Sequence, residues 1–164
     1  MVLEVVIRRA LDGDAGELLT VQRAAFVAEA QRYGDPFLPP LREDLDAVRA
    51  AIADQVVLVA LRGSRVVGSV RVRVEGATGH VGRLAVAPDQ QRRGLGTELL
   101  RAAESAVPQS VSEFRLFTGG GSAENVARYE RAGYTRTAES ADDRGVPLVH
   151  LAKPAGAERG LHRP

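Results

Sequence analysis

Apolar and polar residues alternate along this chain with two different periods, and the switches between them mark its elements. Residues 3–9 form a β-branched run around Val5, Val6 and Ile7, followed by Asp12, Gly13 and Asp14, which predicts a strand leading into a helix start. Over 14–31, Leu18, Val21, Ala25 and Ala28 recur every three or four places with Leu19, Gln22 and Phe26 alongside, the spacing of one helical face. Pro36, Pro39 and Pro40 break that helix, because proline lacks an N–H and pushes its predecessor out of helical geometry. A second helix is predicted over 43–53. Residues 55–61 are almost wholly apolar and 62–64 form a turn. Residues 65–74 then alternate, with Val66, Val70, Val72 and Val74 on one face and Ser69, Arg71 and Arg73 on the other. That pattern predicts an antiparallel hairpin.

Gly76 and Gly79 bracket a second reversal into a strand over 80–86. A helix over 95–106 carries Leu95, Leu99, Leu100 and Ala103 on its apolar side and stops before Pro108. A strand over 113–118 leads to Gly119, Gly120 and Gly121, read as a flexible loop. A helix over 123–132 follows, closed by Gly133 as a left-handed cap. Strands over 134–138 and 146–152 complete the pattern. The expected fold is α/β (α+β): a mixed, mainly antiparallel sheet of about seven strands with about four helices on its faces. Residues 1–153 are expected to form one domain, and 154–164, which lack periodicity, a mobile tail.

Composition narrows the chemistry. The 164 residues are 45% apolar and 26% charged, the balance of a globular domain able to bury its own core. The absence of cysteine excludes disulfides, thiolate zinc sites and a thiol nucleophile, and no metal site is expected. The run at 5–7 is too short and too charged at its flanks for a secretory core, and no apolar stretch approaches the roughly 20 residues of a membrane span. A cytoplasmic protein without a membrane partner is expected. With 22 basic against 21 acidic residues and a net charge of +1, nothing favours nucleic acid, so any anion site must be local.

One such site stands out. Gln91, Arg92, Arg93, Gly94, Leu95, Gly96 and Thr97 lie between a predicted strand and an apolar helix, where unpaired N–H groups and the positive end of a helix dipole meet. Gly94 and Gly96 let backbone approach a pyrophosphate, Arg92 and Arg93 add charge, and Thr97 offers a hydroxyl. The spacing fits neither a Walker loop nor a dinucleotide loop, whose third glycine would fall at Leu99. A glycine-containing turn with solvated arginines is the plainer reading of the same residues.

The string Gln91-x-x-Gly94-x-Gly96, preceded by an apolar strand and Pro88, resembles the signature of the GNAT acetyltransferase superfamily. Asn125-x-x-x-Tyr129-x-x-x-Gly133-Tyr134 is similar to that family's later motif. The resemblance spans residues 3–152 and is strongest over 81–134. It implies an N-acetyltransferase that uses acetyl-CoA and acts on a primary amine of a small molecule or peptide. Leu84, Ala85 and Val86 would pair with the pantetheine arm, residues 91–97 would wrap the pyrophosphate, and Asn125 would lie near the arm. A binding module that keeps the acyl-CoA cradle without turnover is the alternative, and a homodimer is left open.

Acetyl transfer needs a deprotonated amine, a stabilised oxyanion and a proton for the departing thiolate. Tyr129 falls where the family's thiolate-protonating tyrosine lies, and backbone N–H groups within 84–86 could meet the oxyanion. His80 stands where several members carry a basic glutamate, and its ordinary pKa of about 6.5 suits a proton acceptor. Tyr129 can equally serve core packing, and His80 can equally be a surface residue at a strand entrance. His150 reads as a sheet-face residue, and His162 falls in the tail. Phe26, Glu29 and Tyr33, with Asp35 and Phe37, could shape an acceptor pocket against Arg71 and Arg73.

Overall fold

The computed structural model describes residues 4–156. Seven strands form one sheet: β1 (Val5–Arg9), β2 (Val56–Arg62), β3 (Arg65–Glu75), β4 (Thr78–Val86), β5 (Glu113–Gly119), β6 (Thr135–Ala141) and β7 (Pro147–Pro154). Their spatial order is β1-β2-β3-β4-β5-β7-β6, antiparallel except where β4 meets β5. Five α-helices accompany them, namely α1 (Ala15–Tyr33), α2 (Pro39–Arg42), α3 (Leu45–Asp54), α4 (Leu95–Ala106) and α5 (Ala123–Arg131). The element order is the expected one with the short α2 added. Pro39 and Pro40, expected as helix breakers, instead open a helix, because the first helical turn needs no N–H from them.

Both faces of β3 are covered. A Cβ on Gly68 would meet Leu99 of α4, whereas Arg71, of opposite parity, bonds Gln22 of α1. Successive strand residues point to opposite faces, so α1 and α4 sandwich the sheet. This corrects the half-polar hairpin: Ser69 and Arg71 are buried under α1, and the alternation returns to solvent only at Arg73 and Val74, beyond the helices. Val66 and Val67 are both buried, consistent with the irregular β2–β3 register there. Val70, Val72, Leu99, Leu100 and Phe114 anchor the core, each contributing roughly 1.5–3 kcal/mol by burial.

Local signals set the boundaries. Gly34, left-handed at φ 61°, ends α1, and the Asp44 carboxylate caps α3 by accepting the Ala47 N–H at 2.9 Å. That cap leaves Glu43 outside the helix. Gly133, at φ 99°, closes α5 as expected, and β6 starts one residue late because Tyr134 turns into the core. β7 runs through Pro154, and Ala155 still donates to the Ser112 carbonyl. His162 and the rest of the expected tail from 157 lie outside the described residues.

Candidate active site

β4 and β5 pair over three residues, from Thr78↔Glu113 to His80↔Arg115, and then part. A bulge drives them apart: Arg71 lies opposite Gly82 and Ser69 opposite Ala85, and within the bulge Arg83 takes φ 53°. Past His80, among the described residues, no strand partners the β5-facing edge of β4. Leu84, Ala85 and Val86 therefore border an open slot in which an extended chain could add sheet-like bonds. The Val86 carbonyl is already engaged, accepting from Gln91 Nε2 at 3.1 Å. Gln91 thus ties the following loop to the end of β4.

At that end α4 begins. Gly94 is left-handed at φ 81° with open space where a Cβ would be, and Arg92 also takes a positive φ of 64°. The first intrahelical bond runs from Glu98 N–H to Gly94 C=O at 3.1 Å, so the N–H groups of Leu95, Gly96 and Thr97 open onto the loop. A Cβ on Gly96 would lie 3.4 Å from Nη1 of Arg128 and 3.9 Å from Val86 Cγ2. A guanidinium from α5 therefore stands over the helix start. Open backbone, glycine, the dipole and three arginines fit a pyrophosphate beside the β4 slot.

The slot continues into a cleft of about 810 Å³ between α1, α5 and the open sheet, lined among others by Phe26, Glu29, Tyr33, His80, Leu84 and Tyr129. Asn125 and Arg128 also line it, as do Asp35, Phe37, Arg71 and Arg73. The residues expected from the sequence as acid, base and acceptor contacts thus share one space, and Arg128, which also lines it, connects it to the helix start at Gly96.

Tyr129 is half-buried, with its ring edge-on to Tyr134 at 6.1 Å between centroids. Burial pushes its phenol up to about 12; Arg128 opposes that rise and Glu29 adds to it. Tyr129 is therefore a protonated donor at neutral pH, and among the described residues its hydroxyl makes no hydrogen bond. Glu29 faces it from α1, its carboxyl raised by burial against the opposing charge of Arg32. Asn125 Nδ2 donates to Glu29 Oε1 at 3.3 Å. His80 stands where β4 and β5 still pair, with Nε2 3.7 Å from Glu75 Oε2. Four residues separate it from Leu84, about 13 Å along an extended strand.

The acetyltransferase (GNAT) domain family matches residues 30–154. The chain belongs to the GNAT acetyltransferase family. S-(2-succino)cysteine N-acetyltransferase of Bacillus subtilis is 27% identical over 156 residues, covering 89% of this chain and 93% of that one. PaiA N-acetyltransferase of Thermoplasma acidophilum, solved with coenzyme A, superposes with a TM-score of 0.76 at 18% identity, over 93% of this chain and 99% of that one. Salmonella typhimurium yncA, solved with its cofactor acetyl-CoA, gives a TM-score of 0.75 at 18% identity over 93% and 95% of the two chains. This GNAT chain is thus an acetyltransferase with acetyl-CoA as donor, and among the described residues no helix is long and apolar enough to cross a membrane.

Two features of this GNAT cleft escaped the sequence. Tyr33 does more than line the cleft: its hydroxyl accepts the Gly121 N–H at 2.9 Å, and Cβ atoms at Gly119 or Gly121 would strike its ring. The glycine run expected to be a flexible loop instead lets α1 lie against the end of β5. Arg128, three residues after Asn125, was read only as part of a helix; its place over Gly96 depends on the α4–α5 packing.

Proposed function

We propose that this GNAT cleft acetylates a primary amine of a small molecule or peptide by direct transfer from acetyl-CoA. The observation carrying this is the unpartnered, protonated Tyr129 hydroxyl in the same cleft as the β4 slot. Acetyl-CoA supplies an acetyl thioester. Residues 91–97 with Arg128 hold its pyrophosphate, Leu84, Ala85 and Val86 align its arm, and Asn125 fixes the α5 side. Tyr129 Oη holds the proton that a thiolate requires, and backbone N–H groups within 84–86 meet developing oxyanion charge. His80 accepts the amine proton by way of water, given its distance along β4. Glu29 faces the ammonium, Phe26 and Tyr33 wall the acceptor end, and the reaction belongs to the cytoplasm.

Two measurements test this reading. Acetyl-CoA at about 100 times its Kd should stabilise the fold by about 2.7 kcal/mol, an effect that Gly96→Val, with a branched side chain in the cradle, should largely abolish. Thiol release with a panel of primary amines should accompany N-acetylated product. A melting shift without release from any amine would mark a binding module instead.

A further inference from the structure

Beside the slot, two guanidiniums share one carboxylate. Glu43 Oε2 accepts from Arg71 Nη1 at 2.9 Å, and Oε1 accepts from Arg83 Nε at 2.8 Å, Gln22 Nε2 at 2.9 Å and Arg71 Nη2 at 3.2 Å. The side chains of Arg71, Glu43 and Arg83 are 11%, 16% and 26% exposed. Gln22, fully buried, also donates to the Pro40 carbonyl at 2.9 Å, fixing the cluster between α1 and α2. Burial alone would raise the Glu43 carboxyl, but the hydrogen bonds from Arg71 and Arg83 outweigh it and hold it low. One positive charge remains uncompensated within the cluster, and the exposed Arg42, which also lines the cleft, adds another.

Arg83 is the member placed to use that charge. It occupies the β4 bulge at φ 53°, a conformation unfavourable for a residue with a Cβ and maintained only where surroundings impose it. Its Nε is committed to Glu43, while among the described residues Nη1 and Nη2 make no hydrogen bond. Arg83 lines the cleft directly before Leu84. A guanidinium held by one edge and free at the other two nitrogens is a receptor for a planar anion.

We infer that Arg83 binds a carboxylate of the acceptor, so that the substrate is a small anionic amine: an amino acid or similar compound with its carboxylate a few bonds from the nitrogen. This rests on the N-acetyltransferase reading above and narrows it. Arg83 takes the carboxylate, Glu29 of α1, which lines the same cleft, faces the ammonium, and the amine is presented to the slot bordered by Leu84.

The test is thiol release from acetyl-CoA with the protein amino acids, their C-terminal amides, and spermidine as a cationic amine. Free acids should exceed matched amides in kcat/KM by about tenfold to hundredfold, the scale of a charge-assisted bond, mainly through KM. In Arg83→Gln that ratio should fall to about one, with Arg83→Lys between, and melting curves should accompany both variants. If Arg83→Gln fails to fold, the wild-type ratio and Arg83→Lys still decide. Equal or better turnover of amides or spermidine would overturn the anionic-amine assignment and leave acetyl transfer standing. A ratio unchanged in Arg83→Lys and Arg83→Gln would overturn the role of Arg83. No release from any amine would overturn both readings.

Discussion

Asn125 on α5 donates through Nδ2 to Glu29 Oε1 on α1 at 3.3 Å, bridging two helices that wall the cleft. Glu29→Gln keeps an acceptor for Asn125 but removes the charge offered to the ammonium. The amine KM should rise by about tenfold to hundredfold. Because burial raises the Glu29 carboxyl, its ionised form weighs against the fold at neutral pH, so the same variant should melt no lower than wild type. An unchanged amine KM would remove Glu29 from the acceptor site.

Tyr129→Phe keeps the ring against Tyr134 and deletes the proton. The variant should bind acetyl-CoA and fold normally while kcat falls about 100-fold, the low end for loss of a general acid, since a thiolate leaves tolerably unaided. An unchanged kcat with chemistry rate-limiting would assign Tyr129 to packing alone.

Gly119→Ala places a methyl on the Tyr33 hydroxyl and ring. Overpacking of this kind should cost about 1–3 kcal/mol in melting experiments. Tyr33→Leu should recover much of that loss in the double variant. Additive losses would show that the two residues do not meet.

Glu43 and Asp14 both have folded carboxyls below their ordinary values. In Glu43 the bonds from Arg71 and Arg83 overcome desolvation; in Asp14 the bond from Arg8 leads. Depressed groups contribute stability that is fully present above the ordinary carboxylate value and is lost as pH falls through the folded one. Melting temperature should therefore drop as pH falls below about 4.5, whereas the opposite contribution of Glu29, whose carboxyl is raised, is expressed above that value. Glu43→Gln leaves two guanidiniums together and should cost about 3 kcal/mol at neutral pH, with a shallower acid loss. Identical acid profiles for the variant and wild type would contradict the cluster's electrostatics.

Periodicity carried the fold because each element has its own apolar face: Leu95, Leu99 and Leu100 at helical spacing, Val70 and Val72 at strand spacing. The helix start after Gly94 was legible because glycine at 94 and 96 and the strand before them are local requirements. Residues whose partners lie far along the chain were not. The Arg71–Glu43 pair joins positions 28 apart, Tyr33 meets Gly121 across 88, and Asn125 meets Glu29 across 96. Arg71 reads as a solvent-facing strand residue until α1 is packed over it. The φ of Arg83 leaves no trace in residue type, since arginine gives no sign of a left-handed backbone.

The most direct measurement is a single turnover, with enzyme in excess of acetyl-CoA and the amino acids, their amides and spermidine each tried as acceptor, following both product and intact-protein mass. Direct transfer in this cleft requires the acetylated amine to form with one CoA thiol per acetyl group while the protein mass stays unchanged. Bound acetyl-CoA that yields no acetylated amine, or a protein that gains an acetyl group before the amine does, would contradict it.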